Sequence, residues 1–157
     1  MSDAYDDGLR LLARRALTKA EVEERLSARG HDGAEVAAAL SLLSASGAID
    51  DDALARNWIA SQAIARGRGR SRALAELEAR GVALSVAASA WAAVEADGAI
   101  DEEALLTRAV RRRLGSTPAA TGRGRLARVY NALLSEGFDP QQVEAALARY
   151  GFERTEE

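Results

Sequence analysis

The phrase Gly47-Ala48-Ile49-Asp50-Asp51-Asp52-Ala53-Leu54 returns 51 residues later as Gly98-Ala99-Ile100-Asp101-Glu102-Glu103-Ala104-Leu105. Ala28-Arg29-Gly30 and Ala79-Arg80-Gly81 keep the same offset. Self-similarity at such a period marks a chain built by stacking one supersecondary unit, none of which buries its apolar face alone. The useful question is then what the repeated surface grips.

The unit is helical. Hydrophobic residues make up 48% of the chain but aromatics only 4%, and alanine dominates the remainder. Small side chains with high helix propensity let helices pack closely. Thr18-Lys-Ala-Glu21 and Asp32-Gly-Ala-Glu35 read as helix starts, each with a capping side chain and a glutamate three residues on. Val22 and Leu26 share one helical face, and Val36, Leu40 and Leu43 share another. Asp50 caps a third helix, whose buried face is expected to carry Leu54, Trp58 and Ile59.

The second copy places helices over about 71–80, with Leu74 and Leu77, and about 85–96, with Val86, Ala90, Trp91 and Val94. Ala83 stands where the first copy has Asp32, so this cap is missing. In the third, Leu126, Val129, Tyr130 and Leu133 form a stripe ending at Gly137. Asp139-Pro140-Gln-Gln142 then reads as a cap, a proline at the first helical position and a glutamine reaching back.

With a leading helix at about 4–15, the expected fold is all-α: an elongated, curved array of three tandem three-helix repeats of helix-turn-helix-like form. The divisions are an acidic tail over 1–8, repeats over 9–49, 50–98 and 99–152, and a tail over 153–157. A loop insertion at about 115–122 interrupts the third repeat. Ile49 and Ile100 are expected to plug the joints between repeats.

Several functions are set aside by residue inventory. There is no cysteine, hence no disulfide or thiolate metal site, and one histidine, His31, expected as a solvated turn residue. Gly67-Arg-Gly69 and Gly122-Arg-Gly124 lack the third glycine of a dinucleotide fingerprint and the Gly-Lys-Ser/Thr of a P-loop. Helix capping accounts for Asp50–Asp52 and Asp101–Glu103 without a metal. No catalytic constellation can be assembled, and neither enzyme activity nor a cofactor is expected. The opening Met1–Asp7 is acidic, unlike a secretion signal, and uncharged stretches such as Val82 to Val94 are too short to span a bilayer. A cytoplasmic, monomeric protein without membrane contact is expected.

Charge is more telling in its distribution than in its net value of -3. Twenty of the 21 basic residues are arginine, which a GC-rich coding sequence would also produce. Composition does not explain their clustering. From Arg56 to Arg72, and again from Leu105 to Leu134, arginines occur with no Asp or Glu. Arg66, Arg68, Arg70, Arg72, Arg111, Arg112, Arg123, Arg125 and Arg128 are therefore the candidate binding residues, since the guanidinium fork suits carboxylates and phosphates. Solvated helix ends remain open as a reading for each cluster. Arg111, Arg112 and Arg113 cannot all face one way on a helix.

Four segments, in this order, resemble the RecX family of recombinase regulators. They are Leu11-Leu-Ala-Arg-Arg-Ala-Leu-Thr-Lys-Ala-Glu-Val22, then Gly47-Ala-Ile-Asp-Asp-Asp-Ala-Leu-Ala55 with Trp58-Ile59. Arg66-Gly-Arg-Gly-Arg-Ser-Arg72 with Leu77 and Arg80-Gly81-Val82 follows, and Gly137-Phe138 with Val143 and Leu147 closes the series. The likeness spans about residues 9–152, departing at Leu54, where the family usually has Phe, at Ala73, and through 114–122. It implies a non-enzymatic negative regulator of RecA lying in the groove of the RecA–single-stranded-DNA filament. There it would restrain ATP hydrolysis, strand exchange and coprotease action, and so act in homologous recombination, DNA repair and the SOS response. Direct DNA binding is expected to be weak. The alternative is a tandem helix-turn-helix DNA-binding protein, because three-helix units with basic second helices also build such readers.

Overall fold

Residues 2–116 and 121–154 are described by the structure, a computed structural model. Among them are nine α-helices and no strand, and no helix is long and apolar enough to cross a membrane. Part of the insertion expected over 115–122, namely 117–120, and residues 155–157 of the C-terminal tail lie outside the described residues.

The chain forms two compact units, each discontinuous in sequence: residues 1–58 with 76–93, and residues 59–75 with 94–157. The middle stretch, 50–98, thus contributes to both.

In the first unit, α1 (Ala4–Arg14), α2 (Lys19–Ala28) and α3 (Gly33–Ala45) pack together. The acidic opening is mostly helical: Asp3 accepts the Asp6 N–H at 2.8 Å and starts α1, so Asp6 and Asp7 lie in its first turn. Thr18 and Asp32 each close a full capping box, with Glu21 and Glu35 as the returning partners. Leu11, Leu17, Val22, Leu26, Val36, Leu40, Leu43 and Ile49 form one buried cluster. Burying each leucine contributes about 1.5–3 kcal/mol, so this cluster is a large source of the unit's stability. Gly8 lets α1 approach α3 closely, since a Cβ there would lie 2.6 Å from Leu43 Cδ1.

His31 departs from expectation. Its Nε2 lies 2.7 Å from Asp7 Oδ2 and its Nδ1 3.7 Å from Glu35, with the side chain 14% exposed. The hydrogen bond from His31 holds the Asp7 carboxyl below its ordinary range against the effect of burial, helped by the charges of Arg29, His31 and Arg10. The partner is 24 residues away, out of reach of local sequence reasoning.

α4 (Asp51–Trp58) starts at Asp50, whose carboxylate accepts the Ala53 N–H at 3.0 Å. The helix runs on into a π-helical turn, Ile59–Ala63. The inward face carries Ala55, Ile59 and Ala63, each fully buried, while Trp58 is only half-buried. Trp91 meets the core expectation at 1% exposure. α5 (Arg70–Ala79) and α6 (Leu84–Ala96) follow, and each contributes residues to both units. Ala73, where the sequence departs from the family pattern, is fully buried.

In the second unit α7 (Glu102–Leu114), α8 (Arg123–Ser135) and α9 (Pro140–Ala148) pack on one another. Asp101 caps α7 through the Ala104 N–H at 3.1 Å. Asp139 caps α9 by accepting from the Gln141 and Gln142 N–H groups; among the described residues no return bond from the Gln142 side chain occurs. Ile100, Leu105, Leu106, Leu126, Val129, Leu133, Phe138, Val143 and Leu147 are buried, while Tyr130 is half-buried at the edge of its stripe.

Candidate functional site

All nine candidate arginines belong to the second unit. The segment 66–72 is a turn, 66–69, and the first residues of α5, and its glycines serve packing. Gly69 N–H donates to the Glu136 carbonyl at 2.8 Å and Ser71 N–H to the Gly137 carbonyl at 3.2 Å. A Cβ on Gly69 would lie 2.6 Å from the Gly137 carbonyl carbon, so only glycine allows this backbone contact. Gly67 faces the Arg112 guanidinium, whose Nη2 would be 2.8 Å from an added Cβ. The Gly-Arg-Gly spacing therefore seats a turn against α7 and the end of α8.

The arginines divide by what they touch. Arg72 donates to the Ser135 carbonyl at 3.0 Å, and Arg125 to the Arg113 carbonyl at 2.7 Å. Both cap the C-terminal ends of helices, where carbonyls are unpaired and the dipole favours a cation. Arg113, not among the candidates, pairs with half-buried Glu136. Arg68 is half-buried and has a partner. Arg66, Arg111, Arg123 and Arg128 are exposed, and among the described residues none lies within ion-pair distance of a carboxylate.

Helix electrostatics explains some of these charges. Arg111 and Arg112 stand in the last turn of α7, where positive charge is favourable. Arg123 and Arg125 occupy the first turn of α8, whose N-cap, Gly122, supplies no side-chain bond. Positive charge there opposes the dipole. Arg125 offsets this through its bond to the Arg113 carbonyl at the end of α7; helix stability does not account for Arg123.

Arg70 opens α5 in contact with the acidic start of α7: its N–H donates to Glu102 Oε1 at 3.4 Å. Burial raises the Glu102 carboxyl, as do the charges of Glu95 and Asp139, against the lowering effect of the Arg70 N–H and charge. Among the described residues no group of His, Asp and Glu side chains could hold a metal ion. The arrangement suits recognition of anionic groups.

The comparisons with known proteins agree with the helical repeat pattern. Residues 4–43 match the family model described as RecX, first three-helix domain. The chain is 38% identical over 143 residues to the regulatory protein RecX of Chromohalobacter salexigens, covering 91% of this chain and 90% of that one. To that of Halorhodospira halophila it is 35% identical over 143 residues, covering 91% and 85%. The match to that of Mycobacterium sp. (strain JLS) is 37% over 100 residues, 64% of this chain and 55% of that one. The fold is that of the crystal structure of RecX from Lactobacillus salivarius, with a TM-score of 0.80, 16% identity and 94% of both chains covered. A crystal structure of regulatory protein RecX gives a TM-score of 0.77 at 18% identity, over 92% of this chain and 70% of that one. A likeness of 35–38% identity that runs through 85–90% of two of these relatives, on the same helical fold, makes this chain a member of the RecX family of regulatory proteins.

Proposed function

We propose that the protein is a non-enzymatic negative regulator of RecA, binding in the groove of the RecA–single-stranded-DNA filament. Bound there it restrains ATP hydrolysis, strand exchange and coprotease action. Family membership supports the regulatory role. The observation that carries the contact surface is the set of exposed guanidiniums in the second unit, Arg66, Arg111, Arg123 and Arg128, which no carboxylate among the described residues neutralises. Such groups are free to pair with carboxylates of a protein filament or phosphates of the strand inside it. Three repeats, 9–49, 50–98 and 99–152, would supply several weak contacts that add through effective concentration. In this reading the protein acts as a cytoplasmic monomer, and its direct affinity for DNA is low.

The test is the DNA-dependent ATPase of RecA with substoichiometric protein. Arg66→Glu combined with Arg111→Glu should abolish inhibition while leaving helicity nearly intact and lowering the melting temperature only slightly, through the charge reversal at the end of α7. Arg72 is unsuitable for this purpose because its guanidinium bonds the end of α8. Full inhibition by the folded double variant would reject this surface. Tight, salt-steep binding of duplex DNA without RecA would replace the proposal by the helix-turn-helix alternative.

A further inference from the structure

A groove of about 360 Å³ lies between α7 and α9. Leu106 and Val110 of α7 and Ala145 and Ala146 of α9 give it an apolar floor, and the two alanines leave it open. Tyr150 donates to the Gly115 carbonyl at 2.9 Å, which brings the C-terminal ends of the two helices together. Arg111 and Arg149 line the groove, each near the C-terminal end of its own helix. Both are exposed, and among the described residues neither lies within ion-pair distance of a carboxylate. Two full positive charges exceed the roughly half a negative charge that each helix end supplies, so this end remains electropositive.

Glu103 lines the groove near the start of α7. At 1.5 Å rise per residue it lies about 12 Å along the axis from Arg111. The groove is therefore polar along its length, with an acid at one end, an aliphatic floor and a pair of guanidiniums at the other. Its volume suits a few side chains and is too small for a whole helix.

We propose that the α7–α9 groove docks a short peptide segment of a partner protein, cationic at one end, aliphatic in the middle and carboxylate-bearing at the other. In extended form such a segment would separate its opposite charges by about four residues. Arg111 and Arg149 hold the carboxylate, the floor takes the aliphatic side chain midway between the charges, and Glu103 meets the cation. The proposal rests on the regulator reading only in taking the partner to be a protein.

The probe is an extended peptide reading lysine, serine, leucine, serine, glutamate, whose first, third and fifth side chains share one face, titrated into the full-length protein and followed by NMR at the methyl groups of Val110, Ala145 and Ala146. Saturable shifts confined to these methyls are expected, with about tenfold weaker binding for Arg111→Glu/Arg149→Glu and for a peptide with its two charges exchanged. Ala146→Phe, which fills the floor, should also weaken binding; the exposed arginine variants keep the test decisive if it does not fold. No saturable shift, or equal affinity for the exchanged peptide, would overturn the proposal. So would displacement of the peptide by oligo-dT, which gives the groove to nucleic acid, or self-association that Ala146→Phe abolishes, which gives it to a second copy. RecA ATPase inhibition by the wild-type protein is measured in parallel: its absence rejects the regulator reading, whereas the peptide titration alone decides the groove.

Discussion

The Thr18 hydroxyl donates to the Arg80 carbonyl at 2.6 Å across 62 residues of sequence, joining the start of α2 to the residue just after α5. The Arg80 guanidinium returns to Glu21, with Nη2 2.8 Å from Oε1, and Glu21 is the partner of Thr18 in the capping box. One local helix cap thus also fastens two distant parts of the first unit.

Thr18→Val removes both the cap and the bond to the Arg80 carbonyl. A lost cap costs about 1 kcal/mol, and the partly buried Arg80 carbonyl left unsatisfied costs about 1 kcal/mol more. Urea unfolding followed by tryptophan fluorescence should show a loss of about 2 kcal/mol, since Trp58 and Trp91 both belong to the first unit. Thr18→Ser, which keeps the hydroxyl, should recover most of it.

Arg80→Met should alter the acid limb of stability. Burial pushes the Glu21 carboxyl up, but the Arg80 hydrogen bond, the Thr18 N–H and the charges of Arg80 and Arg15 outweigh it and leave the group below its ordinary range. A depressed carboxylate contributes stability that is complete above its unfolded pKa and is lost as pH falls through the folded one. The variant should lose about 1–2 kcal/mol near neutral pH, the pair being only partly buried. The gap to wild type should close in acid, as read from urea midpoints across pH.

Gly137 and Gly151 have nearly the same φ, 94° and 88°, but different surroundings. An added Cβ at Gly137 would collide with the backbone of Arg72, whereas at Gly151 nothing lies within 4 Å. Gly151→Ala should cost about 1 kcal/mol, the price of the left-handed conformation alone. Gly137→Ala adds the displacement of the 66–72 segment and should cost at least about 2 kcal/mol. Thermal melts followed by circular dichroism compare the two directly.

Glu102→Gln should be stabilising at neutral pH. Burial raises this carboxyl, so the folded protein pays to keep it ionised above its folded pKa. As pH falls through that value the wild type recovers, and the advantage of the variant disappears. Because the site is partly solvated, the gain should stay below about 1 kcal/mol. Urea titrations of both proteins near pH 7.5 and near pH 4 would show whether it has this sign.

The residues legible in sequence were those whose partners lie within a turn. Thr18 with Glu21, Asp32 with Glu35, and Asp101 with the Ala104 N–H each join positions three apart. Helix geometry alone fixes such pairs. The apolar stripes of α3 and α9 obey the same local rule. Trp58 escaped it: it stands four residues after buried Leu54 yet is only half-buried, because the tertiary packing turns Ala55, Ile59 and Ala63 inward.

Among the arginines, sequence determined only that they cluster without acids, which follows from composition along the chain. Tertiary structure decided their roles, because a long flexible side chain takes whichever partner the packed helices bring within reach. Arg72 and Arg125 were drawn to helix-end carbonyls, Arg113 to Glu136, and Arg66 and Arg128 were left exposed. His31 met Asp7, and Gly69 the Glu136 carbonyl, for the same reason: the contacts join residues far apart in sequence, and only packing the helices creates them.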